Sequence, residues 1–410
     1  MNRRSFLSAT GAMGSFAVAS RPVRAAVPKM KITRVRIYRP PVLNELFNQS
    51  NMVVTVETDA GITGVGEGGS KDTLEQCAGR LIGEDPQHIE HLWQDMSRAF
   101  FYPPGREKLH GLGALDLALW DIRGKALALP VHALLGGTVR NYCECYRTGG
   151  TLPGLQSGMS IRDRARITVE FGFRAFRMGA ADLPRGNTFN TRERLNQMLK
   201  DCQEAREGVG PNGDFCIDFH QRFDLDEAVR GCELIAATAP FFVEDPVRTE
   251  AFDQDLPILR RAVKVPIAAG EEWGNRWDFN RLVENHDLDF LRATLPNVGG
   301  ITEMVKVMAL CETHFVGIVP HFTGPIATAA LVNTLGTYSG PVMMEYNFEA
   351  RSNPHLPVCL DFKQGKLYPN DRPGLGVELD MNRLQQIGEV TEPIRNRELY
   401  YRPDGSITNW

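Results

Sequence analysis

The sequence lacks the paired CxxC cysteines that are typical of structural zinc sites. Its eight cysteines are scattered along the chain, and their spacings predict no disulfide framework. A zinc site built from cysteines is therefore not expected.

A strong charge of either sign and a long apolar run are also missing. The formal net charge is -4, with 42% hydrophobic and 23% charged residues, as in an ordinary globular enzyme. This balance predicts neither nucleic-acid binding nor binding to a membrane surface. No apolar run approaches the roughly 20 residues that a helix needs to span a bilayer, so no membrane span is expected.

The N-terminus has a pattern of its own. "MNRRSFLS" places Arg3 beside Arg4, and a weakly apolar stretch and "VRAA" follow. This order is typical of a twin-arginine export signal that is cleaved near Ala25. We predict that residues 1–28 are a signal peptide and that the protein is periplasmic. The alternative is a basic N-terminal tail without an export function.

The next hundred residues predict a small α+β region. Residues 30–70 have the pattern of antiparallel strands, and residues 72–136 have helical spacing up to a Gly-Gly stop. "GVGEGG" matches the dinucleotide pattern GxGxxG. Because it ends a hairpin and does not open a βαβ unit, no nucleotide site is expected there.

Eight short apolar runs alternate with helical stretches from residue 141 onward. They are "YCECYRT", "FRAFRM", "FCIDFH", "FFVEDP", "VPIAAGE", "LDFLRAT", "VGIVPH" and "PVMMEY". Strands that alternate with helices predict a parallel sheet, and eight such units predict a closed β/α barrel.

Polar residues stand at the ends of these runs at a regular spacing. They are Asp218, Glu244, Glu271, Thr294, His321 and Glu345. Subtracting consecutive numbers gives 26, 27, 23, 27 and 24, which is about the length of one β/α unit. Each residue is expected at the C-terminal end of its own strand, where barrel enzymes build active sites. Unrelated surface acids near strand ends are the alternative.

Three of these residues, Asp218, Glu244 and Glu271, are acids on successive strands. Carboxylates brought together at one barrel mouth repel each other, and a bound divalent cation removes that repulsion. Ligands that are all oxygen favour magnesium over zinc.

The motifs "VETDAGITGVGEGG", "DFH", "VEDP", "AAGEEW", "NVGGITE" and "VPHFTGPIATAA" together resemble the enolase superfamily, in its mandelate racemase and muconate lactonizing enzyme group. The resemblance covers about residues 30 to 380. It implies an α/β fold: a modified TIM-type β/α barrel over 141–372. A capping domain is expected from residues 29–140, joined by a returning C-terminal segment, 373–410. It also implies a homo-oligomer.

The resemblance implies one Mg²⁺ per subunit, held by Asp218, Glu244 and Glu271. Because "DFH" is most similar to the sugar-acid dehydratases of the group, the implied substrate is a small sugar acid. Loss of the proton next to its carboxylate, followed by loss of water, would give a 2-keto-3-deoxy acid.

The same resemblance implies roles for three further residues. His220 corresponds to the general acid and His321 to the general base. Glu345 corresponds to an acid that donates a hydrogen bond to the substrate carboxylate, for which it would have to be protonated.

Two positions depart from the family pattern. Thr294 stands where the family usually has an aspartate that pairs with the base, so His321 lacks that negative charge unless Glu345 replaces it. Arg177 and Gly179 stand where many relatives have Lys-x-Lys. Arginine binds anions but cannot act as a base. Arg177 and Thr294 are predicted to contact the substrate.

Two other functions stay open at this point. A racemase or epimerase on the same scaffold is disfavoured by the missing lysine. An exported sugar-acid binding protein with impaired catalysis is suggested by Thr294 and Gly179.

Substrate choice is expected to depend on the cap loops 39–51 and 100–111.

Overall fold

A computed structural model describes residues 27–41, 52–99, 102, 105–180, 188–322, 324–347, 353–394 and 399–408. Almost all of the predicted signal peptide lies outside these residues, as do residues 42–51 of the first cap loop and residues 100, 101, 103 and 104 of the second.

The cap contains a four-stranded antiparallel sheet. Its strands are β1 (Ile32–Arg39), β2 (Val53–Thr58), β3 (Thr63–Glu67) and β14 (Gln385–Val390). They lie in the order β14-β1-β2-β3. Val35 and Ile37 of β1 are fully buried, whereas Arg36 on the other face pairs with Glu57. This alternation is the pattern of a sheet with one solvated face. β14 comes from the C-terminal segment and pairs with β1.

The helices of the cap are α1 (Lys71–Ala78), α2 (Ile89–Arg98), α3 (Arg106–Leu127) and α4 (Val131–Leu134). α1 and α3 pack on the cap sheet, whereas α2 and α4 pack on α3. α3 lies so close to β3 that a Cβ on Gly64 would be 2.1 Å from the Ala118 carbonyl oxygen, and one on Gly66 would be 1.8 Å from that of Ala114. The glycines of "GVGEGG" therefore permit helix–strand packing.

Eight parallel strands form the barrel. They are β4 (Cys143–Thr148), β5 (Ala175–Gly179), β6 (Asp214–Asp218), β7 (Val243–Glu244), β8 (Ile267–Ala269), β9 (Phe290–Leu291), β10 (Gly317–Ile318) and β11 (Met343–Asn347). Each pairs with the next along the chain up to β10. β11 closes the barrel by pairing with β4, and a parallel bridge joins Ile318 to Val342. The predicted fold class is confirmed.

Helices separate the strands and cover the barrel. They are α5 (Ile161–Glu170), α6 (Thr191–Val209), α7 (Leu225–Ile235), α8 (Phe252–Ala262), α9 (Arg276–Glu284), α10 (Ile301–Thr313) and α11 (Pro325–Leu335). None of the helices in the described ranges is both long and apolar enough to cross a membrane. The hairpin strands β12 (Asp361–Lys363) and β13 (Lys366–Tyr368) follow β11, and β13 pairs with β4.

Asp121 on α3 joins three parts of the chain. Its carboxylate accepts hydrogen bonds from the backbone N–H groups of Val65 at 2.9 Å and Leu375 at 2.8 Å. Lys125 pairs with it at 2.6 Å. Burial raises the pKa of Asp121, although Lys125 and the two N–H groups oppose this. The residue ties the cap sheet to the segment that returns from the barrel.

We expect Asp121→Ala to lower the free energy of unfolding by roughly 3 kcal/mol, because two buried N–H groups lose their acceptor. Urea unfolding followed by circular dichroism measures this. Glu170→Ala is the control, since Glu170 forms an exposed pair with Arg166, worth less than about 1 kcal/mol. Equal effects of the two substitutions would contradict the joining role of Asp121.

Candidate active site

The C-terminal ends of the barrel strands bring the candidate residues to one rim, because parallel strands all end on the same side. Asp218 ends β6, Glu244 ends β7, and Glu271 lies two residues beyond β8. Glu345 lies within β11, and His321 follows β10. We call Asp218, Glu244, Asp245, Glu271 and Glu345 the acid cluster.

Arg177, on β5, lies between the first two acids of the cluster. Its Nη2 pairs with Asp218 Oδ2 and lies 3.3 Å from Glu244 Oε1. Its side chain is one-fifth exposed, so it reaches the open side of the rim.

Arg292, directly after β9, lies between the other acids. Its Nη2 is 2.9 Å from Glu244 Oε1, 3.1 Å from Glu271 Oε2 and 2.9 Å from Glu345 Oε2. The side chain is completely buried. Sequence reasoning missed this residue. The available signal was a charged side chain inside an apolar strand run, which is rare unless the charge is paired.

The two arginines do not neutralise the acid cluster, which holds five carboxyl groups. Burial raises the pKa of Glu244 to about 8, although Arg292 opposes this, and burial with the nearby Glu271 raises that of Asp245 well above its ordinary value. Burial also raises the pKa of Asp218, against the effect of Arg177. The site therefore favours further positive charge.

Glu345 behaves in the opposite way. Burial disfavours its charge, but Arg292, His321 and Arg177 outweigh burial and lower the pKa of Glu345 to about 2. Its Oε2 also accepts a hydrogen bond from the Phe322 N–H at 3.1 Å. These surroundings favour the ionised form of Glu345, whereas the donor role that the resemblance implies requires a proton, and that role stays a prediction.

The acid cluster fits a divalent cation. Glu244, Asp245 and Glu271 each offer an oxygen, and these oxygens lie within 4.8 Å of one another. Octahedral coordination at about 2.0–2.1 Å places neighbouring ligand oxygens about 3 Å apart, so small side-chain adjustments suffice. Glu244 Oε2 and Asp245 Oδ2 are buried without a hydrogen-bond partner in the described part of the chain, which leaves them available.

This set differs from the ligands predicted from the sequence. Glu244 and Glu271 occur in both sets. Asp245 is the third acid of the group described here, whereas Asp218, which Arg177 engages, stays the ligand predicted from the sequence. Sequence reasoning did not consider Asp245. It directly follows Glu244 in "VEDP", and adjacent strand residues normally point to opposite faces. Its φ of +38° is outside the extended range and changes this direction.

His220 lies beside the cluster, with Nδ1 3.9 Å from Asp218 Oδ2. Its φ of +53° is in the left-handed region, and the same holds for Gln221 at +59°. The Asp218 carboxylate supports this turn by accepting from the His220 backbone N–H at 2.6 Å. Uncommon backbone conformations of this kind cluster at functional sites. About a third of the His220 side chain is exposed, which makes it reachable from the barrel mouth.

His321 has its Nε2 3.8 Å from Glu271 Oε2. Its Nδ1 is buried, and no hydrogen-bond partner for it exists among the residues that the structure describes. Thr294 does not fill this place, because its hydroxyl donates to the Glu271 carbonyl oxygen at 2.9 Å. Glu345 makes its hydrogen bonds with Phe322 and Arg292 instead.

The cap touches the loop that carries Glu271. Arg106, at the start of α3, has Nη1 3.1 Å from Glu272 Oε2. Burial lowers the pKa of His110, on the same helix, to about 4, with Arg106 acting in the same direction. Asn297 donates to the Glu271 carbonyl oxygen at 3.2 Å. The pair between Arg106 and Glu272 thus links the N-terminal end of α3 to the rim.

Two family models match most of the chain. Residues 31–136 match the mandelate racemase/muconate lactonizing enzyme N-terminal domain, and residues 160–383 match the enolase C-terminal domain-like family. Together they include the cap except β14, and the barrel except β4.

Relatives and solved structures agree with this match. D-galactonate dehydratases from Xanthomonas oryzae pv. oryzae and Pectobacterium atrosepticum are each 33% identical to this chain, covering 93% of it and 100% of their own length. An enolase from Agrobacterium radiobacter, provisionally assigned as a galactarate dehydratase and crystallised with sodium and L-malate, is 27% identical with a TM-score of 0.74. The match covers 92% of this chain and 99% of that one. An enolase superfamily member from Salmonella Typhimurium, 24% identical, shares the fold with a TM-score of 0.79, covering 88% of this chain and 100% of its own.

We expect the metal-free protein to lose stability as pH rises from about 4.5 to 8. Glu244 keeps a proton in the folded state up to a pKa of about 8, whereas the unfolded chain releases it near 4.5. Its stabilising effect is therefore complete below pH 4.5 and is lost through pH 8, by on the order of 5 kcal/mol. Urea unfolding at a series of pH values in EDTA measures this.

Glu244→Gln is the matched variant, because it cannot release a proton. Glu67 and Asp116, each with a pKa that burial raises to about 7, act in the same direction and remain in both proteins. The free energy of unfolding should depend less on pH in the variant than in the wild type. Saturating Mg²⁺ should reduce this pH dependence in the wild type. Identical slopes would show that Glu244 is ionised throughout.

Proposed function

Because the chain belongs to the mandelate racemase/muconate lactonizing enzyme family of the enolase superfamily, we propose that it is a metal-dependent acid-sugar dehydratase. The observation that carries the proposal is one rim holding a cation-favouring acid cluster together with two histidines. Similarity to D-galactonate dehydratases over their whole length supports the same activity.

The proposed substrate is an aldonic or aldaric acid, and the product is a 2-keto-3-deoxy acid. His321 removes the proton from the carbon next to the carboxylate. The C–O bond at the adjacent carbon then breaks, and His220 donates a proton to the departing hydroxyl, so that water leaves. The resulting enol becomes the 2-keto acid. The proposed partners are this small molecule and, in a homo-oligomer, further copies of the chain.

We propose Mg²⁺, one per subunit, as the cation. When bound, it supplies positive charge that favours loss of the proton next to the carboxylate. Glu244 and Glu271 would hold it, with Asp218 or Asp245 as the third acid. The all-carboxylate donor set supports Mg²⁺ over zinc.

Two residues would orient the substrate. Arg177 presents a permanent cation at the open side of the rim and suits a carboxylate or hydroxyl of the substrate. Glu345, being ionised, would accept a hydrogen bond from a substrate hydroxyl. The Thr294 hydroxyl donates to the Glu271 carbonyl oxygen. We propose that Thr294 supports this segment, in place of the substrate contact predicted from the sequence.

A binding protein with impaired catalysis is the second candidate. The buried His321 Nδ1, which has no partner among the described residues, favours it, because an imidazole with an orienting acceptor is the better base. A racemase is less well supported, since Arg177 and Gly179 leave no lysine on β5 to act as a second base.

Purified protein with Mg²⁺ should convert at least one member of an aldonate and aldarate collection to a keto acid, detected with a carbonyl reagent. Exchange of the α-proton for deuterium without keto acid would indicate a racemase. Calorimetric binding of metal and acid sugar with neither reaction would indicate a binding protein.

We expect His321→Asn to lower kcat about 10²–10⁴-fold and to abolish α-proton exchange in D₂O. His220→Asn should lower kcat to a similar extent but retain exchange, because it removes only the proton donor to the hydroxyl. His314→Asn is the control, since His314 bonds to Leu310 and Thr313 on the barrel's outer helix α10. Loss of exchange in His220→Asn would contradict this division of roles.

The third ligand should be identified by comparing Asp218→Asn with Asp245→Asn. If Asp245 is a ligand, its substitution should weaken Mg²⁺ binding about 10-fold or more in calorimetry, whereas Asp218→Asn should have a smaller effect. The reverse order would favour the set predicted from the sequence. Equal, small effects would leave only Glu244 and Glu271 as ligands.

We further propose export to the periplasm through the twin-arginine pathway. Arg3 and Arg4 support it, as does the start of the N-terminal family match at residue 31. In a bacterial host, replacing both arginines by lysine should leave uncleaved protein in the cytoplasm. The wild type should be periplasmic with a new N-terminus near Ala25. Equal fractionation of the two proteins would refute the signal.

A further inference from the structure

We propose that Arg292 is a resident counterion of the metal site, and thus a positioning residue. It shares the acid cluster with the divalent cation, keeps Glu271 and Glu345 in place before the cation arrives, and weakens cation binding. This inference rests on the proposed metal site but not on the proposed reaction.

The contacts of Arg292 make its charge a fixed part of the site. Its Nη2 donates to Glu271 Oε2 and Glu345 Oε2 and lies 2.9 Å from Glu244 Oε1. An arginine does not lose its proton in proteins, so this charge does not vary with pH. The burial of the side chain keeps solvent from screening it.

The other side of the guanidinium is held by the barrel interior. Nη1 donates to the Tyr146 hydroxyl and lies 3.3 Å from the Val319 carbonyl oxygen. The Arg292 backbone N–H donates to the Ala269 carbonyl oxygen at 2.9 Å. Moving the side chain away would leave buried polar groups unpaired, which is costly. Arg292 should therefore stay in place when a cation binds.

The arginine and the cation would use different oxygens. Arg292 faces Glu244 Oε1, whereas Glu244 Oε2 and Asp245 Oδ2 are buried without a partner in the described ranges. These two oxygens belong to the residues that, with Glu271, could hold an ion. The cluster thus has room for both positive groups.

Sharing the cluster has two opposite consequences. Arg292 donates hydrogen bonds to Glu271 Oε2 and Glu345 Oε2, so these two carboxyl groups are oriented without the ion. It also repels a second cation a few ångströms away, and this repulsion is strong in a buried site. Binding should be weaker than five acids alone would produce.

Calorimetric titration of the metal-free protein with Mg²⁺ tests this. R292Q removes the charge, and we expect its Kd for Mg²⁺ to fall at least about tenfold at pH 8.5. R292K restores the charge and should bind within about threefold of the wild type. The control R260Q breaks the Arg260–Asp289 pair at the opposite end of β9 and should leave Kd unchanged. Equal or weaker binding by R292Q would overturn the proposal.

R292Q should also depend more on the cation for stability, so 10 mM Mg²⁺ should raise its Tm by more than that of the wild type.

If R292Q does not fold, crystals of the wild type decide the question. They would be grown with EDTA and with Mn²⁺, whose anomalous signal locates the ion. Arg292 should keep both carboxylate contacts in each crystal, with Mn²⁺ beside Glu244.

A Mn²⁺ ion in the place of Arg292 Nη2, a displaced guanidinium, or no bound ion would overturn the proposal. None of these measurements uses turnover. Failure of the acid-sugar screen would therefore count against the proposed function and leave the role of Arg292 standing.

Discussion

The active rim depends on one electrostatic constraint, namely that five carboxyl groups are gathered where water is largely excluded. Isolated buried carboxylates would protonate or draw in cations. In this chain two guanidinium groups balance part of the negative charge. Arg177 lies between Asp218 and Glu244, and Arg292 lies between Glu244, Glu271 and Glu345. The positions of the acids, the ionisation of Glu345 and the remaining demand for positive charge all follow from this arrangement.

The sequence predicted the barrel and its rim well because each β/α unit returns the chain to the same edge. A residue that recurs about every 25 positions must then lie at a strand end, as Asp218, Glu244 and Glu271 do. Arg292 and Asp245 do not follow that rule. Arg292 directly follows the apolar strand β9, and Asp245 points to the rim only because of its own backbone conformation. Spacing along a chain carries no information about either.

The environment of His321 was also beyond what spacing can predict. Strand order made Glu345 a reasonable replacement for the missing aspartate. Hydrogen bonds to Arg292 and to the Phe322 backbone determine where that carboxylate points. At a crowded rim, the nearest charged group determines how a side chain pairs. Here that group is Arg292, to which the family pattern did not draw attention.

The pairing of β1 with β14 links assembly of the cap to completion of the chain. Arg36 and Glu389, 353 residues apart, face each other across these strands. Contacts of such long range form late, because closing a long loop costs conformational entropy. During synthesis β1 would remain an open sheet edge until the last tenth of the chain emerges from the ribosome. In that interval the growing chain would be prone to pair with other polypeptides, which makes timely assistance by chaperones valuable.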